Sequence, residues 1–282
     1  MDRWLSRVAR VLGTAVGAFA GVAAVQFMRL RRMEFLPAHP GFYVNHVVTP
    51  SQGGARAGGR RLRLVVLGDS TTAGVGVERA EDSLPYLIAR RVAESEQRAV
   101  HVVSYGWAGA RAADLVRYQL PRAIEPLRAT ETESFLAGAD LVAIVIGSND
   151  TTHKTQPGSY RASLRSTLDG VRTVAPSARI ALAGIPAFRG ALRGIEPLIF
   201  LADQYARLLR PISRAEAERA GAAYADLARD VPPLIRGRTD VLSSDQFHPS
   251  VVGYSAWADV IVDSLLSDES ETSPARLEAA GA

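Results

Sequence analysis

The sequence predicts an α/β protein, a three-layer α/β/α sandwich around a central, mainly five-stranded parallel sheet. Three observations carry this. Runs such as Leu141-Val142-Ala143-Ile144-Val145-Ile146 are apolar without a break, as in a parallel strand covered on both faces. From residue 63 onward, strand-like and helix-like segments alternate, the order of a doubly wound layer. The chain has 282 residues, 47% of them hydrophobic, enough to bury a substantial core.

Taken in order, residues 1–32 form an N-terminal anchor or signal segment. Positions 11–28 are apolar except for Thr14 and Gln26, and arginines flank both ends. As a helix this stretch spans about 27 Å at about 1.5 Å per residue, close to the hydrocarbon thickness of a bilayer. It therefore reads as an uncleaved membrane anchor with the rest of the chain outside the cytoplasm. A cleaved signal peptide, with Ala18-Phe19-Ala20 as its small-x-small site and a secreted product, is the alternative; a buried core helix is the third. Gly13, Gly17 and Gly21 fall on one helix face, a stripe that permits self-association in a bilayer. Abundance of Gly and Ala in this stretch is the plainer reading.

Residues 33–61 read as a linker, from Pro37, Pro40, Pro50 and the Gly/Arg-rich stretch 53–61. Residues 62–267 form the main domain, with strands expected at 63–67, 100–104, 140–146, 179–183 and 222–226. Helices are expected near 83–96, 112–120, 160–174, 198–220 and 252–266. Residues 268–282 are polar and alanine-rich, a frayed tail.

Charge and composition exclude several classes. The formal net charge is +4, but residues 1–32 alone carry six arginines against Asp2. The remaining 250 residues hold 27 basic and 28 acidic groups, so the main domain has no nucleic-acid footprint. With no cysteine, disulfides, thiolate metal sites and cysteine nucleophiles are excluded. His39, His46, His101 and His153 show no metal-ligand spacing, and no metal or organic cofactor is expected. His153 reads as a surface-loop residue that could alternatively touch substrate.

Four short blocks follow one another along the domain: Gly68-Asp69-Ser70-Thr71, Ser104-Tyr105-Gly106-Trp107-Ala108-Gly109, Gly147-Ser148-Asn149-Asp150 and Asp245-Gln246-Phe247-His248. Each alone has a plain structural reading: a helix N-cap, a turn glycine, a β-to-α turn, a chance Asp-x-x-His. Together and in this order they resemble the SGNH subgroup of GDSL-type serine hydrolases, over about 185 residues from Leu64 to Val252. The resemblance implies a flavodoxin-like sheet and an esterase or lipase activity. It implies Ser70 as nucleophile, Gly109 and Asn149 completing an oxyanion hole with the Ser70 N–H, and Asp245 and His248 finishing a triad. One departure stands out: the second block begins with Ser104 where the family usually has asparagine.

The chemistry of these residue types agrees. A serine hydroxyl needs a neighbouring base to become a nucleophile. A histidine supplies that base when a carboxylate fixes its tautomer. Pro249 favours an extended backbone at His248, which places the Asp-x-x-His pair on a loop before the last helix. A tetrahedral intermediate requires preorganised donors, and the three named ones each follow a predicted strand. Asp69 and Asp150 read as turn-forming.

Rival classes find less. Gly74-Val75-Gly76-Val77-Glu78-Arg79 lacks the third glycine of a dinucleotide loop, and no Gly-Lys-Ser/Thr is present. The Gly-x-Ser-x-Gly of α/β-hydrolases is also absent, Gly253-Tyr254-Ser255-Ala256-Trp257 failing at its last position. A silent binding protein on the same fold is the alternative from a different class. The expected reaction is cleavage of a carboxylic ester through an acyl-enzyme, on a lipid or other acyl ester, with carbohydrate O-acetyl hydrolysis or acyl transfer as alternatives. The stretch 186–205, with Phe188, Leu192, Ile195, Leu198, Ile199 and Phe200, reads equally as an acyl-chain flap or the start of a core helix. Tyr105 and Trp107 read equally as pocket lining or core.

Overall fold

Six strands form one sheet: β1 (Asn45–Val48), β2 (Leu62–Gly68), β3 (Val100–Ser104), β4 (Leu141–Val145), β5 (Arg179–Ala183) and β6 (Ala223–Ala225), in the order β1-β3-β2-β4-β5-β6. All neighbours run parallel except β1, which pairs antiparallel with β3. These are the coordinates of a computed structural model, which describes residues 2–32, 43–51, 60–128, 132–188 and 196–267. Positions 33–42 and 52–59 of the expected linker, Leu192 and Ile195 of the apolar stretch, and the tail 268–282 lie outside the described residues.

The five parallel strands fall where continuous apolar runs place them, and alternate side chains serve the two faces. Val65, Leu67, Val142 and Ile144 point into one core, with Leu115, Leu164, Leu168 and Leu209 from the covering helices. Leu64, Val66, Leu141 and Val145 point into the other, with Leu87, Ile88, Trp257 and Ile261. The first layer holds α3 (Ala112–Asp114), a π-helical turn (Leu115–Gln119), α4 (Leu120–Ile124), α6 (Pro157–Val174) and α7 (Leu198–Arg219). The second holds α2 (Leu84–Glu96), α8 (Leu227–Leu234) and α9 (Val251–Leu266). The one-turn α5 (Ser148–Thr152) follows β4 directly. Arg165 joins α6 to α7 through two hydrogen bonds to the buried Glu216, at 3.0 and 2.8 Å.

Without β1, the parallel strands are ordered second, first, third, fourth, fifth. Strand order therefore reverses at β2 and β4, the point where open α/β sheets open a crevice beyond their carboxyl ends. Ser70 follows β2 and Asn149 follows β4.

Two expectations need correction. The segment read as linker contributes strand β1, whose Val48 is buried against the sheet. The membrane anchor at 11–28 is not supported. The stretch is helical, part of α1 (Asp2–Arg32), but among the described residues no helix is long and apolar enough to cross a membrane. Near its carboxyl end Gln26 is buried, and its Oε1 accepts the Leu198 N–H of α7 at 3.5 Å. Self-association through Gly13, Gly17 and Gly21 gains no support either; that face is open in this chain.

Candidate active site

The chain turns sharply after β2. Thr72 and Ala73 N–H groups both donate to Asp69 O at 3.1 Å, and Val75 N–H donates to Ser70 O at 3.0 Å. Asp69 Oδ1 accepts the Thr71 N–H at 3.0 Å and the Thr71 hydroxyl at 2.8 Å. Gly68 is packed so closely that a Cβ would collide with the Val145 carbonyl and the Thr72 side chain, so only glycine fits there. The Ser104 hydroxyl donates to Thr72 O at 2.9 Å, so the residue that departs from the family pattern ties β3 to this turn.

A residue that motif reasoning missed holds the other side. Gln119, fully buried in the π-helical turn, accepts the Gly68 N–H at 2.9 Å and donates to Gly68 O at 2.7 Å. It lies 51 positions from Gly68 in sequence. Its only signal in the sequence is a glutamine among apolar helical positions.

The loop before α9 closes on itself. Leu242 and Pro249 form an antiparallel bridge, and Ser243 N–H donates to His248 O at 2.8 Å. Inside the loop Asp245 Oδ1 accepts the Ser243 hydroxyl at 2.8 Å and the Phe247 and His248 N–H groups at 2.9 Å. Its Oδ2 lies 2.6 Å from His248 Nδ1, and His248 Nε2 lies 3.0 Å from Ser70 Oγ. With a carboxylate facing Nδ1, that nitrogen carries the proton and Nε2 is left to accept from serine. Ser70, Asp245 and His248 are all buried. Burial pushes the Asp245 carboxyl upward, but the His248 side chain and the His248 and Phe247 N–H groups outweigh it and hold it well below the usual carboxylate range. Ser243 is the second residue the sequence did not reveal.

Gly109 has φ +84°, in the left-handed region, which orients its N–H as few other residues would. Neither the Ser70 nor the Gly109 N–H has a hydrogen-bond acceptor among the described residues. Asn149 Nδ2 donates to Ala110 O at 3.0 Å, and its second amide proton remains. Asp150, expected to form a local turn, instead reaches across 38 positions to accept the Ala112 N–H at 2.9 Å. The third block thus grips the segment just after the second at two points.

Asp69 contrasts with Asp245. It is 2% exposed, and burial lifts its carboxyl to about 6, against the lowering effect of Thr71 and His248. His153 is exposed and turns its Nδ1 to Asn149 O at 2.9 Å.

A cavity of about 750 Å³ opens beside Ser70 and His248, and Asn149 and Phe188 also line it. It runs on between α7, α8 and α9, past Leu227, Val231 and Trp257. Of the apolar stretch, Phe188 lines this cavity, Ile199 belongs to the core and Phe200 is exposed. Tyr105 is core rather than lining, and Trp107 meets Tyr118 in a tilted contact with ring centroids 5.7 Å apart. A larger hollow of about 1050 Å³ between α2 and α9 contains none of the block residues. Among the described residues no cluster could hold a metal ion.

Residues 66–256 match the GDSL-like Lipase/Acylhydrolase family. A GDSL-like esterase of Mycobacterium tuberculosis, Rv1075c, is 26% identical over 204 residues, covering 71% of this chain and 60% of that protein. The chain thus spans about 60% of that relative's length. Among solved structures, an extracellular lipase from Streptomyces rimosus superposes with TM-score 0.55 at 21% identity, over 72% of this chain and 99% of the other. An acetylxylan esterase from Geobacillus stearothermophilus, Axe2, gives 0.52 at 20% identity, over 73% and 95%. At these identities the two structures establish a shared fold.

Proposed function

This chain belongs to the GDSL-like lipase/acylhydrolase family, and we propose that it is a serine esterase that cleaves carboxylic esters through an acyl-enzyme. The observation that carries the reading is the continuous chain from Ser70 Oγ to His248 to Asp245, at 3.0 and 2.6 Å. Ser70 Oγ attacks the ester carbonyl carbon while its proton passes to His248 Nε2. Asp245, held ionised by its loop, stabilises the imidazolium. The oxyanion is met by the Ser70 N–H, the Gly109 N–H and the Asn149 side-chain amide. The C–O bond then breaks, and the alcohol leaves with the proton from His248. Water, losing a proton to the same nitrogen, cleaves the acyl–Ser70 ester and releases the acid.

A fluorophosphonate probe tests this. It should label the folded protein, and Ser70→Ala should abolish the label. A folded wild-type protein that takes no label would favour a silent binding module.

For substrate we propose a lipid or other acyl ester, supported by the apolar lining that Phe188, Leu227, Val231 and Trp257 give the cavity. A chain-length series of p-nitrophenyl esters, run beside acetylated sugars, checks it. Preference for acetyl sugars over every longer acyl ester would replace this reading with carbohydrate O-acetyl hydrolysis. For location, the exported alternative rests on the arginine-flanked apolar run 11–28. Activity confined to cells, with none in the culture medium, would count against it.

A further inference from the structure

The cleft is apolar along most of its length but its charge is uneven. Arg207, Arg210 and Arg238 line it, with Asp203 as the one acidic lining residue among the described residues. Arg238 is neutralised, since Asp240 takes two of its N–H groups at 2.8 and 2.7 Å. The other three groups form a cluster on α7. Asp203, buried, accepts from Arg207 Nε at 3.3 Å and from an Arg210 terminal nitrogen at 3.1 Å. One carboxylate between two guanidiniums leaves one positive charge in excess.

The two arginines differ in how fully they are used. Arg210 also donates to Ile185 O at 2.9 Å and Pro186 O at 2.6 Å, so it fastens α7 to the end of β5. The Arg207 side chain is 56% exposed, and its terminal nitrogens have no acceptor among the described residues. A guanidinium with free terminal N–H groups matches a carboxylate or phosphate in a two-point contact. β5 lies two strands from β2. At about 4.8 Å per strand, the end of β5 that Arg210 grips stands about 10 Å across the sheet from β2, and Arg207 lines the same cavity as Ser70. Pro186 and Phe188 line the same cavity.

We propose that the Arg207 end of the cleft is an anion subsite, and that the substrate is an ester bearing a carboxylate or phosphate that reaches Arg207 along the cavity from the carbonyl that Ser70 attacks. This rests on the esterase reading above and specifies its substrate class.

The test compares kcat/KM for matched anionic and neutral esters. One arm uses p-nitrophenyl esters of acyl chains ending in a carboxylate, against the same chains ending in a carboxamide, over a series of lengths. The other uses acyl esters of glycerol phosphate against those of glycerol, so the arms separate an anion on the acyl half from one on the alcohol half. The anionic-to-neutral ratio should exceed one in at least one arm and shrink as salt is raised, because the Arg207 side chain is half exposed. In Arg207→Gln the ratio should fall by about fivefold, and Arg207→Lys should restore most of it. Fluorophosphonate labelling and thermal melting report whether each variant is folded. A ratio at or below one in both arms, or one identical in wild type and folded Arg207→Gln, overturns the subsite while leaving the esterase reading intact. Failure to turn over any ester, anionic or neutral, overturns both.

Discussion

Two buried carboxylates flank the proposed reaction centre, one in the turn after β2 and one in the loop before α9. Asp69 is one residue from Ser70, and Asp245 is three from His248. Both are buried, Asp69 the more deeply, and their charges are governed in opposite ways. Asp245 receives three donors on Oδ1 and faces His248 with Oδ2. Asp69 receives two donors, both from Thr71 and both on Oδ1. Burial pushes each carboxyl upward. It prevails at Asp69, near 6, and is overcome at Asp245. Depth of burial, set against the number and aim of the donors, therefore decides whether each carboxylate is available as an ion.

The strongest way to break the comparison is to remove the charge at Asp245. Asp245→Asn keeps the shape but can leave His248 in the wrong tautomer. We expect kcat to fall by about 10³–10⁴, read on a p-nitrophenyl ester; a loss under tenfold would show that the loop's donors were serving structure alone. Asn149→Ala probes the same chemistry from the oxyanion side. It should cost about 10²–10³ in kcat with little change in KM, and a rise in KM alone would make Asn149 a binding residue instead.

Asp69→Asn addresses the other carboxylate. A folded value near 6 lies above the ordinary 3.8. The stability linked to Asp69 is therefore fully present below about pH 4 and lost as pH rises through about 6, amounting to roughly 3 kcal/mol. Asp69→Asn retains an acceptor for Thr71 and should flatten that part of the stability profile in urea melts between pH 4 and 8. An unchanged slope would mean that the contrast with Asp245 has been misread. The smallest expected effect belongs to Gly109→Ala. A Cβ there meets nothing within 4 Å, so the penalty is the positive φ alone, about 1 kcal/mol of stability; a far larger loss in a thermal melt would point to a packing role.

Much of this arrangement could be read from the chain before any coordinates. The five parallel strands were legible because burial on both faces demands apolar runs, and the four blocks were legible because three follow strand ends and the fourth lies just before the last helix. β1 was not. It is a four-residue edge strand with three exposed positions, and Asn45 and His46 give it no apolar signature. α8 was hidden by Pro232 and Pro233 within eight residues, which read as breakers. α5 is a single turn, too short for helical periodicity. The side chains that brace the site were hidden for another reason. Gln119 and Ser243 act on groups that every residue or any carboxylate presents, so no spacing rule marks them. The charge of the cleft was equally unreadable, because Arg207 and Arg210 are two among 32 arginines until the fold sets them in the cavity that Ser70 also lines.

The grip of Gln119 on Gly68 has a consequence for where order stops. On one side of β2, β4 pairs as far as Gly68; on the other, β3 ends at Ser104, opposite Val66, and Tyr105 N–H adds one last bond to Val66 O. Gly68 would be left with a bare flank. The amide of Gln119 offers one donor and one acceptor to that flank, as a peptide unit of a neighbouring strand does. A single side chain thus impersonates a missing piece of sheet and extends its hydrogen-bond lattice by one register. The backbone is clamped on both edges at Gly68 and released two residues later, so Ser70 stands just past the last fixed node of a rigid grid, with its own N–H still unclaimed.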